Sequence, residues 1–322
     1  MKKVLLLENI DTTAKNYFEK KGYQLTAFTH ALSEKELAKE LQGIHLLGIR
    51  SKTKITKKSL SAATHLQAIG AFCVGTDQID LDACSVEDLT VFNAPFSNTR
   101  SVAELVIGEI IMLMRQIFPA STAMHQGTWS KSAQNRFEIR GKIVGIVGYG
   151  NIGTQVSVLA ESLGMKVLYY DVAEKLAVGN ATKCKDLKSL LKIADVVTVH
   201  VDGRKKNNKI FSDNEFNVMK KGSSFINLSR GKVVDLKALA TALRSNKLSG
   251  AAVDVYPQEP EKNGTFITEL QNIPNVILTP HIAGSTQEAQ KNIAEYVSQK
   301  LHDFVVSGNT DTAVLRSKGE CS

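Results

Sequence analysis

The sequence predicts an α/β protein built from two doubly wound parallel-sheet domains. Three observations carry this. The chain has 322 residues, and at roughly 100–200 residues per domain that is length enough for two. Short apolar runs alternate with amphipathic stretches in two separate series, the order expected when strands of a parallel sheet are joined by crossover helices. Helix-start signals fall in the gaps between the runs, as that alternation requires.

In the first series, residues 4–7, 25–28, 46–49 and 66–71 read as strands. Ser33 and Glu36 form a capping box that opens a helix between the second and third, because each side chain can satisfy the other's orphan amide. Ser101 and Glu104 read as another such box. It opens a long helix through Ile107, Ile110, Ile111 and Met114 that ends before Pro119. The second series begins near Lys142, with strands expected at 143–147, 166–170, 196–199, 224–227, 250–253 and 276–278 and a helix at 151–163. A last helix is expected from a box at Ser285 and Glu288, with Ile293, Val297, Leu301 and Phe304 as its apolar stripe, stopping at Gly308-Asn309. No internal repeat or low-complexity segment is visible.

Composition narrows the function classes. Hydrophobic residues make up 43% and charged residues 22%, which fits a folded chain. No run reaches 18 apolar residues, so no membrane span is expected. The start, Met1-Lys2-Lys3 followed by Val4-Leu5-Leu6-Leu7, is too short for a signal peptide, and a cytoplasmic location is expected. Cys73, Cys84, Cys184 and Cys321 are scattered without a CxxC pair, which argues against a zinc ribbon or disulfide framework; no metal site is expected. The net charge is 40 − 32 = +8. With dispersed lysines and one Trp, this suits an anionic small-molecule substrate better than nucleic acid, and neither a nucleic-acid nor a membrane partner is expected.

Gly148-Tyr-Gly150-Asn151-Ile152-Gly153 follows the strand at 143–147 and opens a helix, the setting a dinucleotide-binding Gly-x-Gly-x-x-Gly requires. Gly148 permits the tight turn, Gly150 lets the backbone approach a pyrophosphate, and Gly153 allows close helix–sheet packing. Asp171 lies 18 residues beyond Gly153, at the end of the next strand. A carboxylate there binds ribose hydroxyls and repels a 2′-phosphate, so NAD is expected over NADP.

Among seven histidines, His281 stands out, because Leu278-Thr-Pro-His281 ends a strand, and ligands bind at strand carboxyl ends in such sheets. Taken alone it reads equally as an acid–base group or a hydrogen-bonded structural histidine. His125 and His200 are ambiguous. Arg230 follows another strand end, and Glu259, in a Pro-rich loop after 253–255, would by itself pass for a solvated loop carboxylate.

Together these segments resemble the D-2-hydroxyacid dehydrogenases. The likeness rests on the glycine motif, Ser229-Arg230-Gly-Lys-Val-Val-Asp235, Ala252-Val-Asp254-Val-Tyr-Pro-Gln-Glu259-Pro and Thr279-Pro-His281-Ile-Ala-Gly284, with 29 residues from Arg230 to Glu259 and 22 from there to His281. Three further segments, Gly48-Ile-Arg50-Ser-Lys52-Thr53, Ala71-Phe-Cys73-Val-Gly-Thr-Asp-Gln-Ile-Asp80 and Phe92-Asn-Ala-Pro-Phe-Ser-Asn98, are similar to the bacterial branch that acts on 3-phosphoglycerate.

That resemblance implies a Rossmann NAD-binding domain at 98–284 and a discontinuous, flavodoxin-like substrate domain at 1–97 plus 285–322, with the active site in the cleft between them. It implies His281 as acid–base catalyst, Glu259 as the partner that orients and charges it, and Arg230 as the grip on the substrate carboxylate. Asn151, Ile152, Asp171, Leu228, Ser229, Arg230, Asp254, His281, Ile282, Ala283 and Gly284 join the glycines as implied cofactor contacts, with Asp254 facing the nicotinamide end. Cys73 and Val74, through their amides, and Arg50, Ser51, Lys52, Thr53, Asn98 and Lys131 are implied substrate contacts.

The implied activity is NAD-dependent oxidation of 3-phospho-D-glycerate at the entry to serine synthesis. Another 2-hydroxyacid dehydrogenase (of 2-hydroxyglutarate or glyoxylate type) and an NAD-sensing corepressor-like protein are the rival readings. Two departures stand out. His200-Val-Asp202-Gly-Arg204-Lys-Lys-Asn-Asn lacks the proline and threonines usual after that strand. Many bacterial relatives continue into a serine-binding ACT domain, whereas this chain stops at Ser322, so an enzyme insensitive to serine is expected. A homodimer through the nucleotide domain is expected on the helix from Ser101 to about Gln116, together with the stretch through Trp129 and Lys131. The helix carries Val102, Leu105, Val106, Ile110 and Leu113, an apolar set wider than a monomer's helix usually needs.

Overall fold

In the computed structural model, residues 1–260 and 264–317 are described; Cys321 and the end of the C-terminal tail lie outside them. The chain divides into two units. One comprises residues 1–98 with the described residues from 285 onward, and the other is Thr99–Gly284.

The first unit holds a five-stranded sheet of β1 (Lys3–Leu6), β2 (Gln24–Ala27), β3 (Leu46–Ile49), β4 (Ala68–Ala71) and β5 (Thr90–Phe92). All neighbours are parallel, in the order β2-β1-β3-β4-β5, which is flavodoxin-like. β3 and β4 are buried at every residue, as a sheet covered on both faces demands. The two-residue strand period sorts side chains between two cores. Val4 and Leu6 pack with Phe18 and with Val297 and Leu301 of the helix Gln287–Ser307, whereas Leu5 and Leu7 pack with Leu37, Leu41 and Leu60.

The second unit has seven parallel strands: β6 (Ile143–Val147), β7 (Lys166–Tyr170), β8 (Thr182–Lys183), β9 (Val196–Val199), β10 (Ser223–Asn227), β11 (Leu248–Val253) and β12 (Val276–Leu278). Their order, β12-β11-β10-β9-β6-β7-β8, is the dinucleotide-binding order with one strand added, and it reverses between β6 and β9. One face packs Val144, Ile146, Val196 and Ile226 against the helices Thr99–Arg115 and Asn151–Ser162. The other carries Phe211, Phe216 and Phe225, with Phe225 ring centroids 4.9 and 5.2 Å from the first two.

Several boundaries differ from expectation. The capping box at Ser33 forms as expected, with Glu36 reciprocating. Ser101 is no cap, because its helix already begins at Thr99 and Glu104 pairs instead with Arg100 at 2.6 Å. That helix stops at Gln116, which is left-handed at φ 50°, and a further helix, Ile117–His125, holds Pro119 in its first turn, where a missing N–H costs nothing. The last helix is capped by Thr286, one residue beyond Ser285, and ends at Gly308 as read. β5 and β8 were not foreseen; at three and two residues they are too short to show a period.

The apolar set on Thr99–Arg115 also has another use. Val102, Val106, Ile110 and Leu113 are buried in the unit's own core, and Leu105 packs at its edge. The width of that face reflects two neighbours, the sheet and Asn151–Ser162, and is no evidence of a partner. Exposed apolar groups nearby are instead Ile117, Phe118, Met124, Trp129 and Phe137. No described helix is long and apolar enough to cross a membrane.

Phe225 lies at the centre of its aromatic trio with no exposed surface. Phe225→Ala is expected to cost about 3–5 kcal/mol of unfolding free energy by urea denaturation, the usual price of a buried aromatic truncation. A loss under about 1 kcal/mol would mean that the site collapses around the void.

Candidate active site

The glycine turn is shaped by steric exclusion. Gly148 sits at φ 94°, and a Cβ there would lie 2.5 Å from the carbonyl oxygen of His200. A Cβ on Gly153 would lie 2.3 Å from the Gly148 carbonyl oxygen, so the helix Asn151–Ser162 can press onto the turn only without side chains. Gly150 differs: a Cβ there would meet nothing within 4 Å, and as N-cap it leaves the helix's first amides without a side-chain acceptor. Open space above uncapped amides fits the pyrophosphate of a dinucleotide. Asp171 is fixed at the end of β7, its carboxylate accepting from the amides of Tyr149 at 2.7 Å and Ala173 at 2.8 Å. The Tyr149 ring stacks on Tyr169 at 3.9 Å, tying the glycine turn to the strand that presents Asp171.

Arg230, Glu259 and His281 come from three separate strand ends, and the same unit brings them together. After β10, Asn227 accepts from the amide and hydroxyl of Ser229 at 3.1 and 2.8 Å and donates to the Arg230 carbonyl at 3.1 Å. This folds the turn of Leu228, Ser229 and Arg230. Next to it, a Cβ on Gly231 would lie 1.9 Å from the carbonyl carbon of Tyr256. Backbone therefore touches backbone between the Arg230 turn and the loop that leads to Glu259. The Tyr256 amide donates to Glu259 at 3.1 Å, and its hydroxyl reaches the carbonyls of Val253 and Thr279 at 3.0 and 3.1 Å.

His281 Nδ1 and Glu259 Oε2 are 2.7 Å apart. The hydrogen bond to Glu259 raises the imidazole above its ordinary pKa against the opposing effect of burial. For Glu259, burial alone would push the carboxyl up, but hydrogen bonds from His281 and the Tyr256 amide, with the charge of Arg230, leave it below the usual range. With Nδ1 engaged, Nε2 is the ring nitrogen left for a reacting group, and the His281 side chain is half exposed.

His281 adopts φ 57°, an uncommon conformation for a non-glycine residue. Its amide bonds to the Asp254 carbonyl at 2.8 Å. The Asp254 carboxylate accepts from Thr279 Oγ1 at 2.6 Å and from the amides of Ile282 and Ala283 at 2.8 Å each. Asp254 has no exposed surface; what it does in this structure is fold the turn that leads through Ala283 to Gly284.

In the first unit, Glu8 gathers the loop after β3. Its carboxylate accepts from the amides of Arg50 at 3.1 Å, Lys52 at 2.9 Å and Thr53 at 2.8 Å, while Ser51 and Lys52 are exposed. Gln78 Nε2 donates to the Arg50 carbonyl at 2.7 Å and to Cys73 Sγ at 3.4 Å, joining this loop to the one carrying Cys73 and Val74. The Val74 carbonyl accepts from Asn93 at 2.6 Å, and Asn98 has a buried Oδ1 with no partner among the described residues. Lys131 is exposed in the second unit.

Sequence reasoning missed Glu8, Asn227, Gly231 and Tyr256, which hold the loops. Glu8 and Asn227 each follow or end an apolar strand run, a signal that could have drawn attention to them. His200 stands apart from the set of Arg230, Glu259 and His281, and its buried Nδ1 has no hydrogen-bond partner among the described residues. Burial pushes its pKa down to about 3, and its Nε2 lies 3.0 Å from Thr198 Oγ1. In the unusual loop after it, Asp202 pairs with Arg204 and accepts from Asn207.

Comparisons with known proteins point to one family. The sequence profile of the D-isomer specific 2-hydroxyacid dehydrogenase NAD binding domain matches residues 107–283. A Dictyostelium discoideum protein named D-3-phosphoglycerate dehydrogenase is 52% identical over 307 residues, which cover 95% of this chain and 75% of that one. An Escherichia coli protein of the same name is 48% identical, covering 97% of this chain and 77% of that one. Among solved structures, D-lactate dehydrogenase from Aquifex aeolicus, complexed with NAD and lactic acid, superposes with a TM-score of 0.82 at 29% identity, covering 97% of this chain and 99% of that one. The protein is a member of the D-isomer specific 2-hydroxyacid dehydrogenase family and carries its NAD-binding domain.

Proposed function

We propose that this NAD-dependent dehydrogenase oxidises 3-phospho-D-glycerate to 3-phosphooxypyruvate, a step toward serine. The observation that carries the chemistry is the 2.7 Å contact between His281 and Glu259 beside Arg230; the substrate follows from relatives of that name at 48–52% identity. NAD, when bound, supplies the hydride acceptor. His281 takes the C2 hydroxyl proton at Nε2, and Glu259 stabilises the imidazolium that results. Arg230 grips the substrate carboxylate through its planar fork. Asp171 selects against a 2′-phosphate by charge. Arg50, Ser51, Lys52 and Thr53, with the amides of Cys73 and Val74 and with Asn98 and Lys131, bind the carboxylate and phosphate ends. The first unit then serves the substrate and the second the nucleotide. A cytoplasmic location belongs to the same reading, in keeping with cysteines scattered through the sequence without a CxxC pair.

A homodimer through the second unit belongs to the same reading, now resting on Ile117, Phe118, Met124, Trp129 and Phe137, of which Trp129 is 78% exposed. Sedimentation equilibrium should give twice the 35.1 kDa of one chain; a monomer at micromolar concentration would refute it.

His281→Ala should lower kcat by about 10²–10⁴-fold, the range for a positioned proton-transfer group. Oxidation of the hydroxy acid needs neutral His281, so its rate rises as pH passes the imidazole pKa. Glu259→Gln removes the group that raises that pKa and should move the rising limb to lower pH. Near-normal turnover in the first variant, or an unmoved limb in the second, contradicts the assignment.

Arg50→Ala should raise KM for 3-phosphoglycerate by about 10–100-fold, since a charge-assisted contact is worth about 1.5–3 kcal/mol. KM for an unphosphorylated 2-hydroxy acid should change little. Equal losses for both substrates would remove the case for a phosphate site there.

A further inference from the structure

Glu109 lies on the buried side of the helix Thr99–Arg115 with 1% of its surface exposed, and neither carboxyl oxygen has a hydrogen-bond partner among the described residues. Its helix neighbours Val106, Ile110 and Leu113 share an apolar cluster with Ala252 of β11, Ile277 of β12 and Ala283 of the His281 turn. The carboxyl thus sits behind the strand end and turn that place the acid–base residue. The titratable groups facing it are Asp254 and, two residues along the same loop, Tyr256.

An ionised carboxylate in an apolar setting needs donors or a cation. Asp254 has three donors, so the single negative charge of the pair belongs there. We propose that Glu109 is a positioning residue whose neutral carboxyl lets Asp254 hold the His281 turn, and whose ionisation sets a second negative charge behind that turn and loosens it. Burial first, and the charge of Asp254 second, push Glu109 up to about 8, which puts the transition within reach of an ordinary pH titration. The inference rests on the dehydrogenase reading for the part His281 plays, but not for the protonation of Glu109.

The test compares wild type with Glu109→Gln, and with Glu109→Met should the amide fail to fold, from pH 6 to 9.5. Unfolded Glu109 titrates in the ordinary carboxylate range and folded Glu109 near 8. The native state therefore keeps a proton that the unfolded state has lost, and wild-type stability falls as pH rises toward 8 and then levels. Neither variant has that proton, so the variant-minus-wild-type difference in Tm, measured without substrate, should climb by several degrees up to about pH 8 and then stay constant. The variant to wild-type kcat ratio cancels the titration of His281. It should rise about tenfold between pH 7 and 9, following the loss of the protonated fraction.

A Tm difference that does not change with pH overturns the neutral carboxyl. A climbing Tm difference with a flat kcat ratio overturns the positioning role. A wild type that turns over no 2-hydroxy acid fails the dehydrogenase reading first, and the positioning role falls with it, while the Tm comparison still decides the protonation state.

Discussion

The Asp254 carboxylate is the constraint on which the His281 end of the second unit depends. It is wholly enclosed and collects one hydroxyl and two amides from the segment 279–283. A buried charge is tolerable only when its lone pairs are met by well-placed donors, and a charge-assisted bond of this kind contributes about 1.5–3 kcal/mol. Those bonds outweigh the cost, on the order of 1–3 kcal/mol, of holding His281 in the left-handed region.

The first unit uses the same device. Glu8, itself at φ 63°, follows β1 and draws in three amides of the loop after β3. In both units a carboxylate beyond a strand's carboxyl end organises the backbone of a neighbouring strand's loop. Parallel sheets place these ends side by side, and the loops there have no ladder to satisfy their amides. A single acidic side chain supplies what the sheet cannot. The side chains of Arg50 and Lys52 are then presented by a loop whose main chain is already fixed.

Backbone contact supplies the remaining precision. Gly231 against Tyr256, and Gly153 against Gly148, are approaches that any side chain would block. They set the Arg230 turn beside the Glu259 loop and the nucleotide helix against its strand. A Cβ on Gly150 would meet nothing within 4 Å, so it is the one glycine of its motif that packing does not require.

Arg230, Glu259 and His281 stood out as a set only through the resemblance to a family, since Glu259 by itself reads as a solvated loop carboxylate. The sequence alone determined the two-series α/β pattern and the glycine turn with Asp171, because periodicity and short motifs are local and survive in one dimension. It placed Ser33 and Gly308 correctly for the same reason. It misplaced the cap at Ser285 by one residue and took Ser101 for a cap, since several hydroxyl residues stand near each start and only the path of the chain selects among them. In sequence the apolar face on Thr99–Arg115 reads as a dimer surface: a stripe looks the same whether its own sheet or another chain covers it, and packing places it on the sheet. The roles of Glu8, Asn227, Tyr256 and Glu109 became visible only in three dimensions. What Glu8 and Glu109 do is set by groups distant in sequence, 42 to 45 residues away for Glu8, and a contact of that range is fixed by how strands line up. The Asn227 side chain bonds within three residues, as does Tyr256 apart from its contact with Thr279, but the loops they shape matter only once those strand ends lie together.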